Sequence, residues 1–186
     1  MKKISNITGY KFIKISDKQI LKKELVAECN RLALKGTVLI SDKGINFSIS
    51  GTTKNIQILI KFLRKDSRFE DIELKTTFNE YRPFRKMLVR IKKEIISMGI
   101  DGIDPSNLTA TKIDPIELVE KLDKNNDLIL LDIRNEYEVR LGTFENAIDL
   151  NLDSFRDFPE QLNNLKNTLE EKEIIMFCTG GIRCEK

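Results

Sequence analysis

Two short runs of unbroken apolar residues, Leu128-Ile129-Leu130-Leu131 and Ile174-Ile175-Met176-Phe177, constrain the fold of this 186-residue chain more than any other feature. Neither alternates with polar residues. Each therefore reads as a strand covered on both faces, as in a parallel sheet flanked by helices. The residues around them support this. Asp114-Pro115 opens a helix bearing Leu118, Val119 and Leu122. Glu136 to Leu141 reads as a short helix ended by Gly142, Ala147 to Leu150 as a strand, and Phe158 to Leu169 as a helix. Strands alternating with helices predict an α/β unit with a parallel sheet.

The front of the chain has shorter, alternating elements. Strand character runs from Tyr10 to Ile15. Asp17 is placed to cap a helix carrying Ile20, Leu21, Leu25 and Leu32 as far as Leu34, with Gly36 ending it. Thr37 to Ile40 and Ile45 to Ser50 form a hairpin about the turn Ser41-Asp42-Lys43-Gly44, closed by Gly51. A helix begins at Thr53 with Ile56, Leu59, Ile60 and Leu63 on one face, and Ile72 to Phe78 is a strand. The order β-α-β-β-α-β predicts an α+β, ferredoxin-like (split βαβ) domain over residues 1–98. Residues 81–98 are its connecting tail. A linker spans 99–112, with Gly102, Pro105 and Ser106, and the α/β domain occupies 113–186.

Charge divides the chain in the same place. Residues 1–100 carry 22 Lys and Arg against 10 Asp and Glu, whereas residues 101–186 carry 10 against 19. The basic half is a candidate surface for a polyanion. No apolar run approaches the roughly 20 residues of a membrane span. Met1-Lys2-Lys3 is followed by no apolar stretch of the secretory kind. With three cysteines, Cys29, Cys178 and Cys184, the expectation is reduced thiols in the cytoplasm. Histidine is absent, which excludes Cys-His and Ser-His catalysis and His-ligated metal sites; no metal is expected.

The chemistry concentrates where the second apolar run ends. Open α/β sheets hold their sites at the carboxyl ends of strands, and here that position is Cys178. Gly180 and Gly181 allow the loop to turn its backbone N–H groups inward, so Thr179, Gly180, Gly181 and Ile182 are candidate donors. Arg183 adds a positive charge, and the cysteine is expected to ionise readily. Cys-x4-Arg makes a tight ring that suits a thiolate or persulfide better than a tetrahedral phosphate. Cys184 reads equally as a second, resolving thiol or as a structural residue. Cys29 reads as a small core residue.

Cys178-Thr179-Gly180-Gly181-Ile182-Arg183-Cys184 resembles the active-site loop of rhodanese domains, and Asp132-Ile133-Arg134 resembles their Asp-x-Arg strand end. Lys35 to Asn46, Phe84 to Ile95, Arg134-Asn135-Glu136-Tyr137-Glu138 and Phe155-Arg156-Asp157-Phe158 are together similar to the bacterial tRNA uridine hydroxylase family. That resemblance implies a ferredoxin-like domain followed by a rhodanese-like domain. It also implies hydroxylation of wobble uridine to 5-hydroxyuridine with molecular oxygen as co-substrate, and no other cofactor is evident. Cys178 would be the catalytic residue, at the position where rhodanese proteins hold a persulfide, and Arg183 would stabilise negative charge. Asp132 and Arg134 read chiefly as a structural ion pair.

The partner so implied is tRNA. Arg82, Arg85, Lys86, Arg90, Lys92 and Lys93 crowd into twelve residues and are candidate phosphate contacts. Tyr81 and Phe84 are candidates for stacking on an unpaired base, although Phe84, Leu88 and Ile91 read more naturally as core. Two rival readings remain open, a sulfurtransferase working through a Cys178 persulfide and an RNA-binding remnant. The second follows from a further expectation: the rhodanese-like unit is incomplete, truncated after the active-site loop, with an exposed apolar sheet face and impaired catalysis.

Overall fold

The computed structural model describes residues 4–124 and 127–186; the opening Met1-Lys2-Lys3 lies outside them. The chain divides into two units, residues 1–95 and 96–186.

The first unit is a five-stranded sheet with two helices on one face. In chain order it has β1 (Ile4–Phe12), α1 (Lys18–Arg31), β2 (Lys35–Ser41), β3 (Gly44–Thr52), α2 (Thr53–Leu63), β4 (Leu74–Asn79) and β5 (Met87–Ile91). The strand order β4-β1-β3-β2 is that of the expected ferredoxin-like fold. Ile7, Val38, Ile40, Phe47 and Ile49 line one face and pack against Leu21, Leu25 and Cys29 of α1 and Ile56, Leu59 and Leu63 of α2. Because strand side chains alternate, Asn6, Thr8, Ser48 and Ser50 point to the other face.

Several local expectations are corrected. Strand β1 begins at Ile4, not Tyr10. The left-handed residue after α1 is Ala33, at φ 49°. Gly36 lies inside β2 instead, at φ 142°, where a Cβ would meet the Ser48 carbonyl oxygen at 2.1 Å. The Asp17 side chain does not cap α1. Its carboxylate is held by Arg68, which also grips Asp66 at 2.6 Å, and the Arg68 contact keeps it below the usual carboxylate range. Thr52, by contrast, caps α2 by accepting from the Asn55 amide at 3.3 Å.

The largest correction concerns the expected connecting tail, 81–98. Residues 87–91 form β5, which pairs in parallel with β2 from Gly36–Met87 to Ile40–Ile91. The chain therefore passes from β4 at one edge of the sheet to β5 at the other. Four strand spacings amount to roughly 19 Å. The eight peptide steps from Asn79 to Met87 reach at most about 29 Å. Residues 80–86 can therefore span that end of the sheet with little chain to spare.

The second unit contains α3 (Pro115–Lys124), β6 (Leu128–Asp132), α4 (Glu136–Val139), β7 (Ile148–Asp149), α5 (Phe158–Asn164), α6 (Lys166–Leu169), β8 (Glu173–Phe177) and α7 (Ile182–Glu185). Its sheet is parallel, as expected, in the order β7-β6-β8. Leu131, Ile133, Leu150, Leu152, Phe155 and Phe158 form its core. Ile96, Met98 and Ile103 pack with that core, so residues assigned from the sequence to the first domain's end and to the linker belong structurally here. A cavity of about 730 Å³ opens among Met98, Ile103, Phe158, Leu162, Leu169 and Ile174. Among the described residues, no helix is long and apolar enough to cross a membrane.

Candidate active site

Strands β6 and β8 lie side by side, with Asp132 paired to Phe177. Their carboxyl ends thus deliver two loops to one place, Ile133 to Asn135 and Cys178 to Gly181. The first loop is stiffened from within. Asp132 is fully buried and accepts from the Arg134 guanidinium at 2.6–3.1 Å and from the Thr143 hydroxyl at 2.7 Å. Burial alone would raise its pKa, but these donors hold it below the ordinary value. Arg134 also donates to the Gly142 carbonyl at 2.7 Å and lies over the Phe177 ring. The ion pair between Asp132 and Arg134 that the sequence suggested is thus formed.

Cys178 follows β8 directly. Gly181, at φ 93°, turns the chain so that its own N–H donates to Cys178 Sγ at 3.0 Å. The thiol is pulled down to about 5. The largest cause is the Cys184 thiol, which donates to it; burial opposes, and the amides of Gly180, Arg183 and Cys184 help. Cys184 is pushed upward by the same contact and stays a thiol. Cys29, buried in the first core, is pushed to about 12 by desolvation. One cysteine of three is therefore a thiolate at neutral pH. Alkylation by iodoacetamide, followed by peptide mapping across a pH series, should show Cys178 labelled with a midpoint near pH 5 and Cys29 unlabelled. A Cys178 midpoint near 8.5, the value of a free cysteine, would contradict this.

Of the expected loop donors, Gly180 and Gly181 act through their amides. Thr179 acts instead through its hydroxyl, which it gives to Glu138. Arg183 lies against the Cys178 sulfur and also has a second partner that the sequence did not indicate. Its guanidinium makes a two-armed pair with the Glu138 carboxylate at 2.6 and 2.8 Å, and it donates to Asn135 Oδ1 at 3.3 Å. The two side chains are 9% and 15% exposed. Burial works against the charge on Arg183, but Glu138 more than offsets this, with a smaller contribution from the Cys178 thiolate. Glu138, for its part, is held at about 2. Burial pushes it up, and Arg183, Thr179 and the Asn135 amide together push it further down.

Glu138 is the site residue that sequence reasoning missed. It lies three residues beyond Asn135, at the start of α4, and accepts from the Asn135 N–H at 3.1 Å. That spacing is a helix-start signature and was legible. What was not legible is that both carboxylate oxygens also reach across to Arg183 and Thr179 beside the cysteine. Cys178 and Cys184 sit together at the core's edge.

The basic residues Arg82, Arg85, Lys86, Arg90, Lys92 and Lys93 lie in the first unit, all exposed. Arg82, Arg85 and Lys86 ride on the crossing at 80–86, Arg90 on β5, and Lys92 and Lys93 just after it. Among the described residues, Arg82, Arg85, Lys86, Arg90 and Lys92 form no ion pair. Tyr81 is 68% exposed, while Phe84 is half-buried.

A family model described as a UPF0176 acylphosphatase like domain matches residues 4–95, and one described as a Rhodanese-like domain matches residues 114–186. A tRNA uridine(34) hydroxylase from Cupriavidus pinatubonensis is 40% identical over 188 residues, covering 98% of this chain and 67% of the relative. One from Legionella pneumophila (strain Paris) is 39% identical over 186 residues, covering 100% of this chain and 73% of the relative. A third, from Thiobacillus denitrificans, is 41% identical over 188 residues, covering 98% and 76%. Matched in both units and along its whole length, the chain belongs to the tRNA uridine(34) hydroxylase family.

Proposed function

We propose that this protein hydroxylates carbon 5 of the wobble uridine, position 34, of tRNA, giving 5-hydroxyuridine. One observation carries the reading: a chain similar from end to end to proteins of that name holds a single ionised cysteine, Cys178, in a loop lined with backbone N–H groups. As an oxidoreductase it would take molecular oxygen as co-substrate. One oxygen atom enters at C5, and a two-electron reductant with two protons carries the other to water. Cys178 is the proposed nucleophile, adding to C6 of the pyrimidine so that C5 becomes nucleophilic toward oxygen. The N–H groups around Cys178 and the Glu138-held Arg183 would keep that thiolate ionised and aimed. The tRNA backbone would lie on Arg82, Arg85, Lys86, Arg90, Lys92 and Lys93. Such a substrate implies work in the cytoplasm.

The test is nucleoside mass spectrometry of tRNA from cells lacking their own enzyme and supplied with this chain. Appearance of 5-hydroxyuridine is the expected result; its absence, with the protein present and folded, contradicts the reading. The Rhodanese-like match and the tight Cys-x4-Arg ring favour sulfur transfer as the second reading. Under it, a Cys178 persulfide would form from a sulfur donor while 5-hydroxyuridine stayed absent.

A further inference from the structure

Asn6 Oδ1 and Ser50 Oγ, two buried oxygen atoms of the first unit, have no hydrogen-bond partner among the described residues. Folded interiors contain few such atoms, and each calls for a reason. These two are neighbours, because Asn6 on β1 is paired in register with Ser50 on β3. Asn6 is 9% exposed and Ser50 0%. Both side chains point away from the helices. The Asn6 amide nitrogen is already engaged, by Asn79 at 2.6 Å and Thr77 at 3.5 Å, so its oxygen is left facing away from them as an acceptor.

Their position along the strands is the second observation. Asn79 pairs with Ile4, Thr52 with Ile4, and Ser50 with Lys35. Asn6 and Ser50 therefore lie two residues in from the end of the sheet that the 80–86 crossing spans. That crossing carries Arg82, Arg85 and Lys86, has no helix or strand of its own, and stands beside Lys35, where the Lys86 carbonyl accepts from the Gly36 N–H at 3.0 Å. Unpaired polar oxygens and unpaired cations at one end of the sheet match the chemistry of an RNA nucleotide, which presents polar edges between two phosphates.

We propose that this end of the sheet reads one unpaired nucleotide of the tRNA substrate. Asn6 Oδ1 accepts from a nucleotide donor, Ser50 Oγ completes the contact, and Arg82, Arg85 and Lys86 hold the flanking phosphates. Both oxygens are buried in the free protein, so entry of a nucleotide requires the groups over them to move aside. The proposal rests on the tRNA reading above and adds to it a specificity-determining pair outside the cysteine loop. The donor is either a base N–H or a ribose hydroxyl.

The experiment measures binding of a fluorescein-labelled anticodon stem-loop RNA to the full chain by anisotropy, independently of any hydroxylation. Ser50→Ala is the central variant. If the hydroxyl meets RNA, the dissociation constant rises about tenfold, the effect of removing one hydrogen bond, while the thermal midpoint stays or rises. If Ser50→Ala only raises the midpoint and binds RNA as before, the proposal is overturned. The triple variant R82A/R85A/K86A separates the two levels. It should lower the slope of log K against log salt by about 2, at some 0.7 for each phosphate released. A weakened triple variant with an unaffected Ser50→Ala overturns the nucleotide-reading pair and leaves the tRNA reading standing. Unchanged binding in both overturns the pair and removes RNA from this surface. With Ser50→Ala weakened, a 2′-deoxy loop names the donor. Loss of affinity for wild type, but not for the variant, identifies the ribose hydroxyl; equal affinity identifies the base.

Discussion

Replacing Cys178 with serine should lower 5-hydroxyuridine formation by at least roughly a thousandfold, the scale seen when a nucleophile is removed from a working constellation. The reason lies in ionisation more than in size. The cysteine is held at about 5, so it is almost wholly thiolate at neutral pH. A serine hydroxyl in the same cradle keeps its proton, and without histidine the chain has no imidazole base to remove it. Nucleoside mass spectrometry of complemented cells provides the readout, and product at a tenth of the wild-type level would rule out covalent catalysis by this residue. The same substitution carries a stability signature whose sign is fixed. The folded thiol titrates near 5 and the unfolded one near 9. Between those values the folded state has given up a proton that the unfolded chain retains. Stability from this group is therefore complete above about pH 9 and is lost as pH falls through about 5. Serine removes that dependence, so denaturant midpoints of the wild type and variant should converge toward pH 5 and separate as pH rises.

Glu138→Gln should destabilise the second unit by about 2–3 kcal/mol, toward the lower end for a buried ion pair broken on one side. The introduced amide carries no charge, so Arg183 would be left with its guanidinium buried and uncompensated, and Thr179 would lose an ionised acceptor. Hydrogen exchange of the amides from Cys178 to Glu185 is the appropriate probe, because it reports on this loop and not on the first unit. A loss under about 0.5 kcal/mol would mark the pair as no stronger than a surface bridge. The cysteine titration supplies a second readout. Freeing the Arg183 charge should leave the Cys178 midpoint at or below its present value, whereas collapse of the loop would drive it up toward 8.5.

What the sequence disclosed and what it withheld follow from the range of the interactions. Strands β6 and β8, the helix at Thr53 and the Cys178 loop were all legible, because apolar runs and glycine spacing act locally, but the expectation that both strands are covered on each face is corrected for β8, whose residues are exposed or half-buried. Strand β5 was not. Met87 to Ile91 sits among lysines and arginines, and its strand character comes from pairing with β2, some fifty residues earlier in the chain. Gly36 was misread for a related reason. A glycine after a helical stretch usually ends the helix, but here the close approach of the Ser48 carbonyl requires it. Arg183 was correctly placed in the loop, but its bond partner was not, since Glu138 is brought to it only when β6 and β8 align. Asp17 lost its expected capping role to Arg68, fifty-one residues away.

The clamp between Glu138 and Arg183 also decides which molecules the cysteine loop will admit. With Arg183 matched by Glu138, and Arg134 matched by Asp132, the ionised Cys178 is left as the surplus charge, and it is negative. Arg183 stays in contact with that sulfur and divides its positive charge between the Glu138 carboxylate and the thiolate, so an anionic visitor finds only part of a cation to answer it. A flat, uncharged pyrimidine adds no negative charge and can present the face of its C5–C6 bond to the sulfur, its polar edge answered by backbone N–H groups. The loop thus favours neutral rings over anions for as long as the carboxylate stays ionised, which, held at about 2, it does at neutral pH.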